Sequence, residues 1–206
     1  MTALPQPFPQ RGSCTLVGAG PGDPELLTLK AVKAIAAASV LFVDALVSDS
    51  VMSHARPSAR IVYVRKRGGC KSTPQAFIEK LMIAAVHEGE RVVRLKGGDP
   101  FIFGRGGEEV EHLREAGIEV DVINGITSGL AGLTSLGAPL THRDRAHGVL
   151  FMTGHAKPGD SGPDWRLIAT TAHAAKLTLV IYMGVSGVQR IRDELLTGLP
   201  GSTPVA

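Results

Sequence analysis

The stretch CTLVGAGPGD, residues 14–23, decides the fold. A short run typical of a β-strand leads into a glycine-rich turn, and an amphipathic stretch follows directly. The same alternation continues along the first half of the chain. Strands are predicted at Cys14–Val17, Val40–Val43, Ile61–Val64, Val92–Leu95 and Val120–Ile123, and helices at Glu25–Ala38, Pro74–His87 and Gly107–Ala116. This pattern predicts an α/β fold with a largely parallel sheet covered on both faces.

The helix ends carry their own signals. Asp23 and Thr73 are of the type that caps helix N-termini, because a short polar side chain accepts hydrogen bonds from free backbone N–H groups. Gly89 and Gly117 are predicted to stop helices, because glycine adopts the left-handed conformation that commonly ends them.

The turn at residues 18–23 has two interpretations. Small residues between a strand and a helix allow either close packing of the backbone or close approach of a ligand. The dinucleotide-binding fingerprint requires a third glycine where Asp23 stands, and Pro21 removes a backbone donor. A Rossmann dinucleotide site is therefore disfavoured.

Composition excludes several classes of protein. The 206 residues are 44% hydrophobic and 20% charged, which is ordinary for a folded soluble protein. No apolar run approaches the ~20 residues that span a bilayer, and two distant cysteines predict neither a disulfide framework nor a zinc site. The net charge of +3 with only 4% aromatic residues argues against nucleic-acid binding and favours a small anionic ligand. We expect a cytoplasmic protein without membrane attachment.

The residue composition and pattern of the sequence change after Asn124-Gly125. A small-residue helix is predicted at Ile126–Leu136, strands at Val149–Met152 and Leu177–Tyr182, and a helix at Val188–Leu196. We therefore expect a flexible tail at 1–12, an N-terminal α/β domain at 13–124 and a C-terminal α/β domain at 125–206. The last four residues resemble the beginning of a strand, which predicts that a C-terminal piece is missing.

A second glycine-rich motif, residues 96–109, reads KGGDPFIFGRGGEE. It follows a predicted strand, so it lies at the edge of the sheet where open α/β folds bind ligands. Asp99 can accept hydrogen bonds from an amine or a ribose hydroxyl, and Arg105 can bind a carboxylate with two parallel bonds. A long glycine loop with solvated charges is the alternative, and the length and residue mix of the motif argue against it.

Seven blocks together resemble the tetrapyrrole methylases, and within that family the uroporphyrinogen-III C-methyltransferase branch. They occur in the order and spacing of the family and cover roughly residues 13–206. The blocks are VGAGPGD at 17–23, VD at 43–44 with LVS at 46–48, residues 94–109, GIT at 125–127, PLTHRD at 139–144, TGH at 153–155 and YMG at 182–184.

The resemblance implies two α/β domains with the active site in the cleft between them. It implies S-adenosylmethionine as the methyl donor, with S-adenosylhomocysteine as product. The implied cofactor-binding residues are Pro21, Gly97, Gly98, Asp99, Ile102, Thr127, Ser128, Met183 and Ala206. The implied catalytic residues are Asp44 as proton acceptor, Lys66 as proton donor, and Arg105, Glu108 and Arg143 near the macrocycle.

The implied reaction is C-methylation of uroporphyrinogen III to precorrin-2, for sirohaem or cobalamin synthesis. Arg105 and Arg143 are interpreted as clamps for substrate carboxylates, because arginine stays protonated and is a poor base. The basic neighbours of His142 and His147 would repel a cation, so no metal site is expected. A related methylase acting on a later corrin or on RNA, and an inactive truncated form that only binds cofactor, are the alternatives. A homodimer is expected.

Overall fold

The structure is a computed structural model that describes residues 12–64, 74–156 and 159–206. The chain divides into two compact units, the first ending at Thr127 and the second beginning at Ser128. Within the described residues, no helix is long and apolar enough to cross a membrane.

The first unit is built on a parallel sheet, which confirms the predicted α/β class. Among the described residues its strands lie in the order β3-β2-β4-β1-β5, and every paired neighbour is parallel. The strands are β1 (Ser13–Gly18), β2 (Val40–Val43), β3 (Arg60–Tyr63), β4 (Arg91–Lys96) and β5 (Val120–Ile123). Each lies within a residue or so of its predicted position.

Helices α1 (Leu29–Ala37), α2 (Gln75–His87) and α3 (Gly106–Glu115) complete the first unit. Alternate residues of β1 point to opposite faces of the sheet, so Leu16 belongs to one buried cluster and Val17 to another. Met82 of α2 packs in the cluster with Leu16, and Ile35 of α1 packs in the cluster with Val17. Both faces of the sheet are therefore covered, as the near-continuous apolar strands predicted.

The prediction of one helix over Glu25–Ala38 was wrong. A short 3-10 helix at Pro24–Leu26 is followed by two extended residues, and α1 begins only after Thr28. Thr28 Oγ1 accepts a hydrogen bond from the backbone N–H of Ala31 at 3.1 Å, which caps α1. The predicted cap Asp23 serves the 3-10 helix instead, accepting from the backbone N–H of Glu25 at 2.9 Å.

The predicted helix stops at Gly89 and Gly117 are confirmed, since both adopt left-handed φ angles, 85° and 77°. The other predicted cap, Thr73, lies outside the described residues.

The second unit contains two parallel strands, β6 (Gly148–Thr153) and β7 (Leu177–Tyr182), among its described residues. Its helices are α4 (Ser128–Ser135), α5 (Trp165–Ala175) and α6 (Val188–Leu195). Helix α5 was not predicted from the sequence, although Asp164 caps it by accepting from the backbone N–H groups of Arg166 and Leu167. Trp165 at its start is fully buried, so tertiary packing adds to the stability of this helix. The predicted strand start at 203–206 has no strand structure.

Cys14 gives the first unit a testable dependence on pH. Burial in β1 and, to a smaller extent, the negative charge of Glu109 raise the pKa of this thiol from 9.0 to about 12. Above pH 9.0 the unfolded chain loses the thiol proton, whereas the folded chain keeps it. The contribution of the thiol to stability is therefore present below pH 9.0 and is lost as pH rises toward about 12. Over this range the free energy of unfolding falls by up to about 1.4 kcal/mol per pH unit because of this thiol.

We expect urea unfolding between pH 8 and 11 to show this loss in the wild type relative to Cys14→Ala. The comparison removes the contribution of lysines and tyrosines, which titrate in both proteins over the same range. Parallel free-energy curves for the two proteins would contradict the assignment.

Candidate active site at the carboxyl edge of the first sheet

The candidate site lies where β1, β2, β4 and β5 end. Because these strands are parallel, their carboxyl ends meet at one edge of the sheet, called here the carboxyl edge. The segments that leave this edge begin at Ala19, Asp44, Gly97 and Asn124. Open α/β sheets bind their ligands at this position.

Glycines at the carboxyl edge allow neighbouring backbones to touch. Gly20 and Gly98 pair, with N–H to carbonyl distances of 3.2 and 2.7 Å. A Cβ atom on Gly18 would lie 2.4 Å from the backbone nitrogen of Gly125. Packing therefore explains much of the glycine turn, and the N–H groups of Gly20 and Gly98 already have partners within the chain.

Asp99 is buried and holds two loops of this edge together. Its Oδ1 accepts from the backbone N–H of Phe101 at 2.8 Å, and its Oδ2 accepts from Asn124 Nδ2 at 3.2 Å and from the Gly125 N–H at 3.1 Å. A carboxylate offers about four acceptor positions, so these three bonds leave room for about one more. Asp99 orders the loop in addition to its predicted contact with the cofactor.

A chain of charged side chains runs from the core to the carboxyl edge, called here the charge chain: Glu109 on α3, Arg94 and Lys96 on β4, and Asp44 after β2. Arg94 Nε lies 3.1 Å from Glu109 Oε1, and Lys96 Nζ lies 3.2 Å from Glu109 Oε2. Arg94 Nη2 reaches Asp44 Oδ2 at 3.5 Å. The side chain of Glu109 is 0% exposed and that of Arg94 is 2% exposed, whereas that of Asp44 is 16% exposed.

Further hydrogen bonds complete the charge chain. Arg94 Nη1 donates to the carbonyls of Leu95 at 3.0 Å and Phe42 at 3.3 Å, and Gln75 on α2 donates to Glu109 Oε1. Burial lowers the pKa of Lys96 below its ordinary value, and the nearby charge of Arg94 lowers it further.

No role was predicted from the sequence for Arg94, Lys96 or Glu109. The signal was present in β4, where Arg94 and Lys96 stand on either side of Leu95 in a strand of a parallel sheet. Such strands are buried on both faces, so the cations had to be paired inside the protein.

Arg105 and Glu108 were predicted to lie near the substrate, and the structure pairs them with each other. Arg105 Nε donates to both carboxylate oxygens of Glu108 at 3.1 Å, and this bonding raises the pKa of the guanidinium. Arg105 adopts a left-handed φ of 57° at the start of α3, which costs energy in a residue other than glycine. Both side chains are about half exposed, so a substrate carboxylate can compete for the guanidinium. Ile102, in the same loop, is 39% exposed.

In the second unit, a hydrogen bond joins the chain neighbours of two predicted cofactor residues. The Gly129 N–H donates to Tyr182 Oη at 2.8 Å, which ties the start of α4 to the end of β7. Ser128 and Met183 are the chain neighbours of these two residues. Met183 has a left-handed φ of 55° and a side chain that is 55% exposed.

Arg143 lies apart from Met183 within the second unit. It is exposed in the loop that precedes β6, whereas Met183 follows β7. Since β6 and β7 are parallel and in register over six residues, Arg143 precedes one end of this strand pair and Met183 follows the other. The structure therefore does not place Arg143 with the cofactor residues of its own unit.

The remaining predicted residues are distributed as follows. Pro21 is half-buried in the turn after β1, Thr127 is buried at the end of the first unit, and Ala206 is exposed in the segment after α6. Lys66 lies outside the described residues. Across 12–64, 74–156 and 159–206, no group of three or more His, Cys, Asp or Glu residues is arranged to hold a metal ion.

Comparisons with known proteins identify the family. The family model described as Tetrapyrrole (Corrin/Porphyrin) Methylases matches residues 13–206. Uroporphyrinogen-III C-methyltransferase of Pseudomonas aeruginosa is 53% identical over 196 residues, which cover 95% of this chain and 78% of that protein. Siroheme synthase 1 of Aeromonas hydrophila is 50% identical over 204 residues, covering 98% of this chain but 43% of that protein.

A solved structure agrees with these relatives. Uroporphyrin-III C-methyl transferase from Thermus thermophilus, complexed with S-adenyl homocysteine, aligns with a TM-score of 0.74 and 44% identity. The alignment covers 89% of this chain and 75% of that chain. Because the family model matches nearly the whole chain and the fold agrees, this chain belongs to the tetrapyrrole (corrin/porphyrin) methylases.

Proposed function

We propose that this chain transfers methyl groups from S-adenosylmethionine to carbon atoms of uroporphyrinogen III, giving precorrin-2. The observation that carries the proposal is the 53% identity, over 95% of the chain, to a uroporphyrinogen-III C-methyltransferase. The 44% identity to a relative that holds S-adenyl homocysteine supports the choice of cofactor.

The carboxyl edge suits a ligand with an apolar ring and a polar tail. Gly97 and Pro21 are half-buried there, and Ile102 offers an exposed apolar side chain. Asp99 keeps about one free acceptor position for a ribose hydroxyl or an amine. We propose that these residues, with Gly98 and Thr127, hold the cofactor in the first unit, and that Ser128, Met183 and Ala206 are further cofactor-binding residues.

When bound, S-adenosylmethionine supplies an electrophilic methyl group on its sulfonium. A pyrrole carbon of the substrate forms the new C–C bond as the S–CH₃ bond breaks. That carbon carries a side chain and no hydrogen, so the positive charge left on the macrocycle is removed by loss of a proton from another ring atom, an N–H or a bridging CH₂. We propose that Asp44 accepts this proton, because its carboxylate is the most exposed group of the charge chain and lies at the carboxyl edge. Arg105, released from Glu108, and Arg143 bind substrate carboxylates, and Lys66 acts as proton donor.

The function is tested by supplying the chain with S-adenosylmethionine and enzymatically generated uroporphyrinogen III without oxygen. We expect S-adenosylhomocysteine to be released and the tetrapyrrole to gain two methyl groups, observed by mass spectrometry. Calorimetric titration with S-adenosylhomocysteine is expected to show one site per chain, weakened in Asp99→Ala because that change releases Phe101, Asn124 and Gly125.

Two outcomes would contradict the proposal in different ways. Cofactor binding without methylation of uroporphyrinogen III would favour another tetrapyrrole substrate, to be sought among later corrins. If methylation continued unchanged in Asp99→Ala, the carboxyl edge would not be part of the cofactor site.

We also propose that the chain forms a homodimer and works in the cytoplasm. Exposed apolar side chains in the second unit support the dimer, since Leu167 is 64% exposed and Val185 is 88% exposed. Sedimentation equilibrium is expected to give twice the chain mass, and a monomer at micromolar concentration would refute the dimer. Cys14, a buried free thiol, is compatible with a reducing compartment.

A further inference from the structure

The charge chain buries charged side chains in the core of the first unit, where apolar residues are usual. Glu109, Arg94 and Lys96 are each at most 4% exposed in their side chains. Taking such charges out of water is costly, and a buried ion pair is often no more stabilising than apolar residues of the same volume. Stability alone therefore does not account for three buried charges, which suggests a role in specificity or function.

The partners of Arg94 suggest a role for these buried charges. Arg94 uses all three of its nitrogens, with Nε on Glu109, Nη1 on two backbone carbonyls and Nη2 toward Asp44. A guanidinium is planar and its donors have fixed directions, so the bonds at Nε and Nη1 determine where Nη2 points. Lys96 and Gln75 in turn hold Glu109 in place.

We infer that Glu109 is a positioning residue for methyl transfer: through Arg94 it fixes the orientation of the Asp44 carboxylate at the carboxyl edge. Lys96 serves the same purpose by holding the second oxygen of Glu109. This inference rests on the proposed function, because it assigns Asp44 the proton that the methylated macrocycle loses. Asp44 Oδ1 also accepts from the backbone N–H of Ala45 at 2.9 Å, so its two oxygens are held from two directions.

Glu109→Gln tests the inference, because it keeps the shape of the side chain and removes its charge. We expect kcat to fall about tenfold or more, part of the roughly 100- to 10,000-fold that a positioned proton acceptor contributes. The dissociation constant for S-adenosylhomocysteine is expected to stay unchanged. Glu109 is fully buried and its partners Arg94, Lys96 and Gln75 are not proposed cofactor residues.

Glu79→Gln is the matched control. Glu79 is also a buried glutamate of the first unit, 5% exposed, but its Oε2 pairs with His112 Nδ1 at 2.8 Å and not with the charge chain. We expect kcat of this variant to equal that of the wild type. An equal fall in both variants would mean that any loss of a buried carboxylate disturbs the unit, and the inference would be overturned.

A double variant separates positioning from a general structural effect. If Glu109 acts through Asp44, adding Glu109→Gln to Asp44→Asn should lower kcat no further. If the two losses multiply, Glu109 acts independently of Asp44 and the inference fails. Should Glu109→Gln not fold, Arg94→Lys replaces it in the cycle, because lysine keeps the charge but cannot bridge Glu109 and Asp44 at once.

A structural readout keeps this inference distinct from the proposed function. In a crystal structure of Glu109→Gln, or of Arg94→Lys, we expect the Asp44 carboxylate to have turned away from its wild-type position. An unchanged Asp44 would overturn the inference whatever the activity. A wild-type chain that binds S-adenosylhomocysteine but transfers no methyl group would overturn the proposed function alone.

Discussion

Asp44→Asn is expected to lower kcat by about 100- to 10,000-fold, the usual contribution of a positioned general base. Asparagine has nearly the same shape as aspartate but cannot accept the proton that the methylated macrocycle must lose. The fold should tolerate the change, because Arg94 keeps its partner Glu109 and its two backbone carbonyls. Single-turnover methyl transfer, measured alongside binding of S-adenosylhomocysteine, is expected to show a slow chemical step and an unchanged dissociation constant.

Asp121→Asn is the control for Asp44→Asn. Asp121 is an exposed carboxylate on β5 of the same unit, so the variant loses one negative charge away from the carboxyl edge. We expect its kcat to match the wild type. A normal kcat in Asp44→Asn would show that the proton leaves to another group or to water.

Gly125→Ala is expected to destabilise the first unit by about 3 kcal/mol or more, at the upper end of what overpacking costs. The added Cβ would lie 2.1 Å from the carbonyl oxygen of Gly98 and 2.8 Å from Cα of Gly18. All of these neighbours are backbone atoms of tightly paired segments, so no flexible side chain can move aside. Any shift that relieves the clash also strains the hydrogen bond from the Gly125 N–H to Asp99. We therefore expect the variant to bind S-adenosylhomocysteine more weakly as well as to be less stable.

Gly107→Ala provides the contrast in the same unit. A Cβ at this position in α3 meets nothing within 4 Å, and alanine favours a helix over glycine by up to about 1 kcal/mol. Urea unfolding should therefore show a neutral or slightly stabilised Gly107→Ala beside a strongly destabilised Gly125→Ala. Equal stability of the two variants would mean that the close contact of the three glycine backbones is not required.

The sequence alone determined the strands, the parallel sheet and the edge that carries the site. Near-continuous apolar runs such as Val92–Leu95 and glycine turns after them are local signals, and the parallel order makes their ends meet. The motif blocks were also sufficient to indicate the family, which the match over residues 13–206 confirms. Local patterning failed at Glu25–Ala38, where extended residues at 27–28 interrupt a run of helix-forming residues, and at α5, which packing of Trp165 stabilises.

Only the tertiary structure decided which polar residues meet. Glu109 and Asp44 are 65 positions apart in the numbering, and their connection exists because β4 carries Arg94 between them in space. Likewise, Gly18, Gly98 and Gly125 come from three separate turns, so their close contact is invisible to any local pattern. Sequence periodicity reports which face of an element is buried, but the partner of a buried charge depends on the neighbouring strand and helix that the fold places beside it.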